Sequence, residues 1–193
     1  DMLEPTSYAP IVERVDGVIH AAQLSIPGRF SRSRVTEVQR ADHLMTQTLA
    51  QECLKHDKKF IYTNGIFSYA PGGDQWITEE SPMKPPFFGK GHYEMFNYLQ
   101  QLHKEQGLKC IILTAGFVYG AGGLFTRSFI EPLNKKQLRV IGSGRNYWSN
   151  IHVDDLGAAF ALAIESTTYG ENYNVVDDEP ITLRELVDTL TDA

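Results

Sequence analysis

The 193-residue sequence has few of the features that mark several large classes of protein. It contains only two cysteines, Cys53 and Cys110, and their apolar or helical surroundings predict buried thiols rather than a disulfide or a metal site. No run approaches the roughly 18 apolar residues of a membrane span, and no signal-peptide pattern opens the chain. The net charge is −6, and no basic run favours nucleic acid or an anionic membrane.

The rest of the composition is that of a folded chain. Apolar residues make up 42% of the sequence, which is enough for a hydrophobic core, and the 22% of charged residues are mixed in sign. The length is compatible with one α/β domain. Two unpaired thiols fit a reducing compartment, so we expect a cytoplasmic protein, although the composition would also fit an organelle interior.

The most informative stretch runs from Phe60 to Glu94. The apolar run Phe60–Thr63 follows four charged residues and predicts a buried parallel strand that surfaces at its carboxyl end. A loop rich in proline and glycine comes next, and an amphipathic helical run begins at Gly91. Ligands of open parallel sheets bind beyond the carboxyl ends of the strands. We therefore expect the chemistry to lie after Tyr62.

The order of these features resembles the extended short-chain dehydrogenase/reductase superfamily, in its NAD-dependent epimerase/dehydratase group. The resemblance covers nearly the whole chain and implies an α/β fold with a Rossmann-like, doubly wound parallel sheet. It is carried by four segments in the family's order: Asp16–Ala22 (D-x-V-x-H-x-A), Phe60–Tyr69 with the following Glu79–Pro82, Leu113–Gly120 (V-Y-G) and His152–Leu156 (H-V-x-D-L).

The resemblance also implies that the chain is a fragment of a domain. Family members carry a glycine-rich loop at the first strand-to-helix turn, where helix-terminal N–H groups hold the pyrophosphate. Neither Gly-x-Gly-x-x-Gly nor Gly-x-x-Gly-x-x-Gly occurs in this sequence. We expect residues 1–193 to form a single NAD(P)-binding domain, truncated at the N-terminal βαβ unit. Residues from about 121 to 193 would contribute to a partial C-terminal substrate lobe.

The sequence departs from the family pattern at all three catalytic positions. Gly65 stands where the family has a catalytic hydroxyl, Phe88 where it has a tyrosine, and His92 where it has a lysine. None of the nine tyrosines has a lysine four residues later. Imidazole can donate to a ribose hydroxyl and titrates near neutral pH, so His92 is a candidate for catalysis and for cofactor binding. Tyr93 is a second catalytic candidate, for which packing in the core is the commoner explanation.

An NAD or NADP site is implied at the strand ends. Asp1 corresponds to an aspartate that contacts adenine in the family, with a plain surface residue as an equal alternative. Small side chains after the Asp16–Ala22 strand let the backbone approach the cofactor. The residues implied to contact the cofactor are Asp1, Ala21, Ala22, Thr63, His92, Ala115, Phe117 and Val118.

On the substrate side the resemblance implies Gly65 and Trp148. Many family members carry an arginine at about the position of Trp148, and that arginine binds a nucleotide-sugar phosphate. Trp148 therefore argues against such a substrate, although Arg145 is close in sequence. A polar loop with Arg29, Arg32 and Arg34 could meet an anion, and a solvated loop is the commoner explanation.

Several other segments carry predictions that bear on the fold. Residues 16–22 are expected to form a turn and a fully buried strand. His20 is expected to be buried and hydrogen-bonded, and the Val35–Lys55 helix to be structural. Further expectations are a strand ending in a turn over residues 137–144, a helix Leu156–Glu165 capped by Asp154 or Asp155, and a capping box at Thr182–Glu185.

Two functions remain open at this point. The first is an NAD(P)-dependent oxidoreductase or epimerase that acts on a small carbonyl or hydroxyl substrate. The second is a cofactor-binding protein without turnover, such as a redox sensor or a regulatory subunit, which the three replaced positions favour. The expected partner is a small-molecule substrate, with a homodimer as an option, and we expect no nucleic acid, membrane or metal.

Overall fold

A computed structural model of the chain describes residues 1–24, 31–140 and 142–192. Its strands are β1 (Gly17–His20), β2 (Lys59–Gly65), β3 (Cys110–Ala115), β4 (Phe117–Tyr119), β5 (Tyr147–Trp148), β6 (Asn150–His152), β7 (Glu171–Val175) and β8 (Ile181–Thr182). Its helices are α1 (Arg32–Lys55), α2 (Lys90–Gln106), α3 (Gly123–Phe125), α4 (Glu131–Asn134), α5 (Val153–Glu165) and α6 (Leu183–Asp192). Short 3-10 turns lie at Pro5–Ser7, Ala9–Arg14, Ile66–Ser68 and Phe87–Gly89, and a π-helical turn, Thr126–Ile130, joins α3 to α4.

The main sheet has the order β1-β2-β3-β7, and every pairing in it is parallel. This confirms the predicted α/β fold with a parallel sheet. The register pairs Gly65 with Ala115 and His20 with Tyr62. The carboxyl ends of β1, β2 and β3 therefore lie along one edge of the sheet, the edge where ligands of such folds bind.

Helices cover both faces of this sheet. Successive side chains of a strand point to opposite faces. Accordingly, Phe60 and Tyr62 pack against α1 and α2, whereas Ile61 packs against Ala163 of α5. The three strand residues are at most 1% exposed. Burial on both faces explains why β2 is an apolar run rather than an alternating one.

β1 is less buried than its sequence predicted. It is the outer strand of the sheet within the described residues, and Ile19 is 43% exposed. An apolar groove of about 320 Å³ runs along β1 and is bordered by Tyr8 and Val12 from the preceding 3-10 turns. The expectation of a fully buried strand is therefore wrong for Ile19, since an edge strand lacks a neighbour on one side.

Several segments after β3 form a second, smaller layer of structure. Two short sheets, β4-β6 and β5-β8, lie beside α3 and α6. The capping box is confirmed, because Thr182 N donates to Glu185 Oε2 at 2.8 Å and Glu185 N to Thr182 Oγ1 at 3.2 Å. The predicted strand over 137–144 is wrong: residues 137–140 form no strand, and Ile141 lies outside the described residues. The turn predicted at its end is confirmed, since Gly142 and Gly144 have φ of +68° and +71°, which turn the backbone.

Two helices begin earlier than predicted. α5 starts at Val153, and its cap is His152, whose Nδ1 accepts from Asp154 N at 3.3 Å. The prediction that Asp154 or Asp155 is the cap is wrong, although both lie in the first turn, where negative charge is favourable. α1 starts at Arg32 after the cap Ser31.

None of the helices in the described ranges is long and apolar enough to cross a membrane.

Candidate active site

His92 and Gly65 lie side by side at the carboxyl end of β2. A Cβ atom placed on Gly65 would be 3.6 Å from Cδ2 and 3.9 Å from Nε2 of His92. His92 occupies the first turn of α2, which can lie close to α1 because Gly91 has no side chain: a Cβ there would be 2.6 Å from Cγ of Gln39. The structure thus brings together two of the three positions at which the sequence departs from the family pattern.

A line of hydrogen bonds runs from the surface through His92 into the protein. The Nε2 atoms of Gln23 and His92 are 3.2 Å apart. On the other side of the ring, Nδ1 lies 3.1 Å from the hydroxyl of Tyr62. That hydroxyl donates to Oδ2 of Asp42 at 3.1 Å. The side chain of His92 is 25% exposed and that of Asp42 is 6% exposed, so the line goes from solvent to a buried carboxylate.

Tyr62 stays a neutral phenol in this setting. Its side chain is buried, and burial together with the neighbouring Asp42 carboxylate raises the pKa of Tyr62 well above its usual value of 10.0. A phenol in that state donates its proton in a hydrogen bond but does not release it near neutral pH.

His20 lies behind this line and is almost entirely buried, at 3% exposure. Its Nε2 is 3.9 Å from Oδ1 of Asp42, too far for a hydrogen bond, and neither ring nitrogen has a partner among the described residues. Burial lowers the pKa of His20, with a smaller opposing effect from Asp42. The prediction that His20 is buried is confirmed, and the prediction that it is hydrogen-bonded is wrong for the described part of the chain.

A second buried polar network ties the strands together near the same edge. Thr114 is its centre: its hydroxyl accepts from Asn64 Nδ2 at 3.1 Å and donates to Asn172 Oδ1 at 2.7 Å. Asn172 in turn donates to the hydroxyl of Tyr69 at 3.1 Å, and Tyr69 donates to Asn174 at 2.9 Å. Burial raises the pKa of Tyr69. Because every member has a partner, this network holds the segment after β2 against β3 and β7.

Tyr93, the second catalytic candidate, is outside the line through His92. It is half-buried on α2, and the hydrogen bond found at this residue in the described ranges is made by its backbone carbonyl, which accepts from Asn97 at 3.0 Å. One residue further along a helix, a side chain is rotated by about 100°. The phenol therefore does not share the hydrogen bonds of His92.

Of the predicted cofactor residues near the ends of β1 and β2, two are exposed and one has a buried hydroxyl. Ala21 and Ala22 are exposed directly beyond β1. The hydroxyl of Thr63 is buried without a hydrogen-bond partner among the described residues. Such a group is uncommon in folded proteins and fits a polar ligand. Asp1 is exposed at the start of the chain, where Oδ1 accepts from Leu3 N at 2.9 Å.

The predicted residues after β3 have packing roles. Ala115 is buried against Ile151 and Leu156, and Val118 packs against this group. The ring of Phe117 meets Trp148 edge-on, with centroids 4.9 Å apart. The Phe117 amide donates to Ser149 O at 2.7 Å. Phe117 and Trp148 thus contact each other in the aromatic core of the smaller layer.

Phe88, at the family's tyrosine position, offers no hydroxyl to the site. Its ring is 41% exposed and meets Phe67 edge-on at 5.1 Å.

Of the arginines in the polar loop before α1, Arg29 lies outside the described residues, and the guanidinium of Arg32 lies 5.3 Å from the centre of the Phe87 ring. In the ranges that the structure describes, no group of three or more His, Cys, Asp or Glu side chains is arranged to hold a metal ion.

Sequence reasoning missed Asp42, since α1 was expected to be purely structural. A signal was present, because Asp42 lies seven residues before Leu49 and eleven before Cys53, on the buried stripe of α1. A carboxylate at a core position of an amphipathic helix requires a polar partner. Here that partner is Tyr62.

Comparison with known proteins agrees with the architecture. The chain is 28% identical to dTDP-D-glucose 4,6-dehydratase of Dictyostelium discoideum over 86% of this chain and 42% of that protein. It is 24% identical to the protein y4nL of Sinorhizobium fredii over 98% of this chain and 54% of that protein. The chain thus spans about half the length of these curated relatives.

Solved structures show the same fold. The crystal structure of DesIV, a dTDP-glucose 4,6-dehydratase of Streptomyces venezuelae with NAD and TYD bound, matches with a TM-score of 0.85 and 21% identity, covering 100% of this chain and 61% of that one. The UDP-glucose 4-epimerase of Thermus thermophilus in complex with NAD matches with a TM-score of 0.79 and 22% identity, covering 100% and 67%.

The decisive match is to a family as a whole. Residues 1–176 match the model of the NAD dependent epimerase/dehydratase family. This match takes in the main parallel sheet, the line through His92 and the start of the smaller layer. The chain belongs to the NAD dependent epimerase/dehydratase family.

Proposed function

We propose that the protein is an NAD(P)-dependent oxidoreductase or epimerase that acts on a small carbonyl or hydroxyl substrate, with His92 as its proton-transfer group. The observation that carries this proposal is the position of the His92 ring. Its Nε2 edge is next to the empty space at Gly65, and its Nδ1 edge is hydrogen-bonded to Tyr62. Imidazole titrates in the range that acid–base catalysis at neutral pH requires.

The proton transfer is simple in this arrangement. When a substrate alcohol is oxidised, its O–H bond breaks and the proton goes to Nε2 of His92, while the carbon–oxygen double bond forms. A bound nicotinamide cofactor would supply the acceptor for the hydride released from the adjacent C–H bond. The resulting imidazolium lies 4.0 Å from Asp42, measured from Nδ1 to Oδ2, and that carboxylate stabilises the positive charge. Reduction of a carbonyl runs in the opposite direction.

The residues at the strand ends fit a dinucleotide. Thr63 has a buried hydroxyl without a partner among the described residues, and Ala21 and Ala22 leave the backbone beyond β1 uncovered. We propose that these three residues and His92 contact the cofactor. Asp1, Ala115, Phe117 and Val118 complete the proposed set, with Phe117 contributing through its ring or carbonyl because its amide is already bonded.

The substrate proposal rests on two residues. Gly65 leaves room for a substrate oxygen beside His92. Trp148 is packed edge-on against Phe117, so the substrate side at this point has an aromatic surface in place of a guanidinium that would pair with a phosphate. These features favour a small carbonyl or hydroxyl compound over a nucleotide sugar. The curated relative from Dictyostelium discoideum is named for a dTDP sugar. Nucleotide sugars therefore belong among the compounds tested for turnover.

A cofactor-binding protein without turnover is the second candidate. It is favoured by the absence of hydroxyl groups at both Gly65 and Phe88, since general acid–base groups supply roughly 10²- to 10⁴-fold in rate. In that case the protein would report the redox state of its cofactor or hold a partner subunit.

Calorimetric titration of the full-length protein with NADH and with NADPH, followed by a turnover screen, separates these functions. The screen covers secondary alcohols, simple carbonyl compounds and nucleotide sugars, with the His92→Ala variant alongside. Binding with turnover that depends on His92 supports the enzyme. Binding with no turnover across the panel supports the second candidate. No binding of either cofactor contradicts both.

A further inference from the structure

We propose that Asp42 and Tyr62 are positioning residues that hold His92 as the tautomer with its hydrogen on Nδ1, which leaves the lone pair of Nε2 free to accept a proton at the site. This inference rests on the proposed role of His92. It extends that role to two buried residues on α1 and β2, to which the family resemblance assigns no role.

The direction of each hydrogen bond follows from the carboxylate. An ionised carboxylate can only accept hydrogen bonds. Oδ2 of Asp42 accepts from the Tyr62 hydroxyl at 3.1 Å, and Oδ1 lies 3.5 Å from the donating hydroxyl of Thr46. The Thr46 contact is long, so the Tyr62 hydroxyl is the main donor to this carboxylate. The single hydrogen of the Tyr62 hydroxyl is therefore directed at Asp42.

The imidazole tautomer follows in turn. Since the Tyr62 hydrogen points to Asp42, the phenolic oxygen faces Nδ1 of His92 as an acceptor, at 3.1 Å. Nδ1 must then carry the hydrogen. In a neutral ring, Nε2 is left with its lone pair, which accepts from the amide of Gln23 at 3.2 Å. An imidazole without a buried acceptor at Nδ1 can adopt either tautomer, because no fixed hydrogen bond selects one.

Burial keeps this arrangement in place. Tyr62 is 1% exposed and Asp42 is 4% exposed, so water does not compete for their hydrogen bonds. The raised pKa of Tyr62 keeps its hydroxyl protonated at every working pH, so it stays a donor to Asp42. By contrast, Gln23 is exposed, so a substrate hydroxyl can replace it at Nε2.

The charged and titratable groups around the ring agree with this assignment. Those found to interact with it among the described residues are Asp42 on α1, Tyr62 on β2 and His20 on β1, and its neighbours on α2 include Lys90, Tyr93 and Glu94. Lys90 and Glu94 pair with each other at 3.4 Å. Burial lowers the pKa of His20 and so favours its neutral form. Asp42 is therefore the one negative charge that lies behind the His92 ring in this set.

Nitrogen-15 NMR of the histidine rings tests the assignment directly. The shifts and ring couplings show which nitrogen carries the hydrogen, and the His92→Gln variant identifies the His92 signals by their loss. We expect hydrogen on Nδ1 in the wild-type protein at a pH where the ring is neutral. Hydrogen on Nε2 in the wild-type protein would overturn the proposal, and this result needs no folded variant.

The Tyr62→Phe variant provides the second arm, with Tyr8→Phe as its matched control. Both substitutions remove a buried phenolic oxygen, but the Tyr8 hydroxyl has no hydrogen-bond partner among the described residues. We expect Tyr62→Phe to shift His92 to the Nε2–H form and to lower kcat by about 10- to 100-fold, as outer-shell partners of histidines do. Tyr8→Phe should change neither property. An unchanged tautomer in a folded Tyr62→Phe variant would also overturn the proposal.

The two kinds of readout keep this inference separate from the proposed function. If the wild-type His92 ring carries its hydrogen on Nδ1 but His92→Gln keeps its turnover, the positioning role stands and the catalytic role of His92 is removed. If the ring carries its hydrogen on Nε2 but turnover requires His92, the catalytic role stands and the positioning role is removed.

Discussion

Gly65 and His92 face each other across the carboxyl end of β2, with 3.6 Å between an added Cβ on the glycine and Cδ2 of the imidazole. That distance is an ordinary van der Waals contact, and the φ of Gly65, −104°, is open to any residue. The glycine is therefore not required by the fold. It leaves a space beside the imidazole, where our account has the substrate oxygen bind.

Gly65→Ala should consequently be tolerated or slightly stabilising, by up to about 1 kcal/mol, because it restricts the unfolded chain without strain in the folded one. Gly89→Ala is the matched control: its new Cβ would lie 2.7 Å from the Phe67 carbonyl oxygen, so we expect a loss of about 1–3 kcal/mol. Urea denaturation of both variants measures the difference. A Gly65→Ala variant less stable than Gly89→Ala would contradict the geometry described for this edge of the sheet.

His20 should make the stability of the protein depend on pH. Burial lowers the pKa of His20 in the folded state below its ordinary value of 6.5. The unfolded chain therefore binds a proton first as the pH falls. The stability due to neutral His20 is complete above about pH 6.5 and is lost as the pH decreases towards the lower folded pKa.

Replacing His20 with a residue that does not titrate should flatten this dependence. We expect the free energy of unfolding to fall less steeply below pH 6.5 in His20→Asn than in the wild-type protein, by at most about 1.4 kcal/mol per pH unit. Denaturation series between pH 5 and pH 8 give both slopes. Equal slopes would show that His20 is not held neutral in the folded state.

The Thr114 hydroxyl should be important for stability. Thr114→Val would leave Asn64 and Asn172 without their shared partner inside the protein, at a cost of about 1–3 kcal/mol. Thr168→Val, at an exposed position, should change stability by less than about 0.5 kcal/mol. Thermal or chemical denaturation measures both, and a neutral Thr114→Val variant would mean that the network contributes nothing to stability.

Both thiols should resist modification in the folded protein. Burial raises the pKa of Cys53 to about 12 and that of Cys110 to about 11, so very little reactive thiolate is present at pH 8. Ellman's reagent should find both cysteines after denaturation and neither of them in the native protein within the same time. Rapid reaction of one thiol in the native state would contradict its burial.

The fold could be predicted from the sequence because local pattern and family order agree. The apolar run at Phe60 gave a strand buried on both faces, and the Thr182–Glu185 spacing gave a capping box. The turn at Gly142 and Gly144 was predicted from its glycines, whereas the strand before it was wrong because residues 137–140 pair with no other strand among the described residues. The cap at His152 was missed because a histidine nitrogen replaced the usual carboxylate or hydroxyl.

The candidate site was predicted only in its outer part. Gly65 and His92 could be placed at the site because both stand at catalytic positions of the family pattern, within the stretch from Phe60 to Glu94. Asp42 was missed because its partner Tyr62 lies 20 residues away and meets it only when α1 packs on β2. Tertiary contacts of this kind leave just a weak trace in the sequence, here a charged residue on a buried helical stripe.

The most direct test of the account is the rate at which NAD or NADP is reduced by the best substrate of the panel, compared between the wild-type protein and His92→Gln. Lys90→Gln, an exposed change two residues before His92 on α2, serves as the control. We predict that His92→Gln binds the cofactor but loses about 10²- to 10⁴-fold in kcat, while Lys90→Gln keeps its rate. Full turnover in His92→Gln would contradict the central claim that this imidazole transfers the proton.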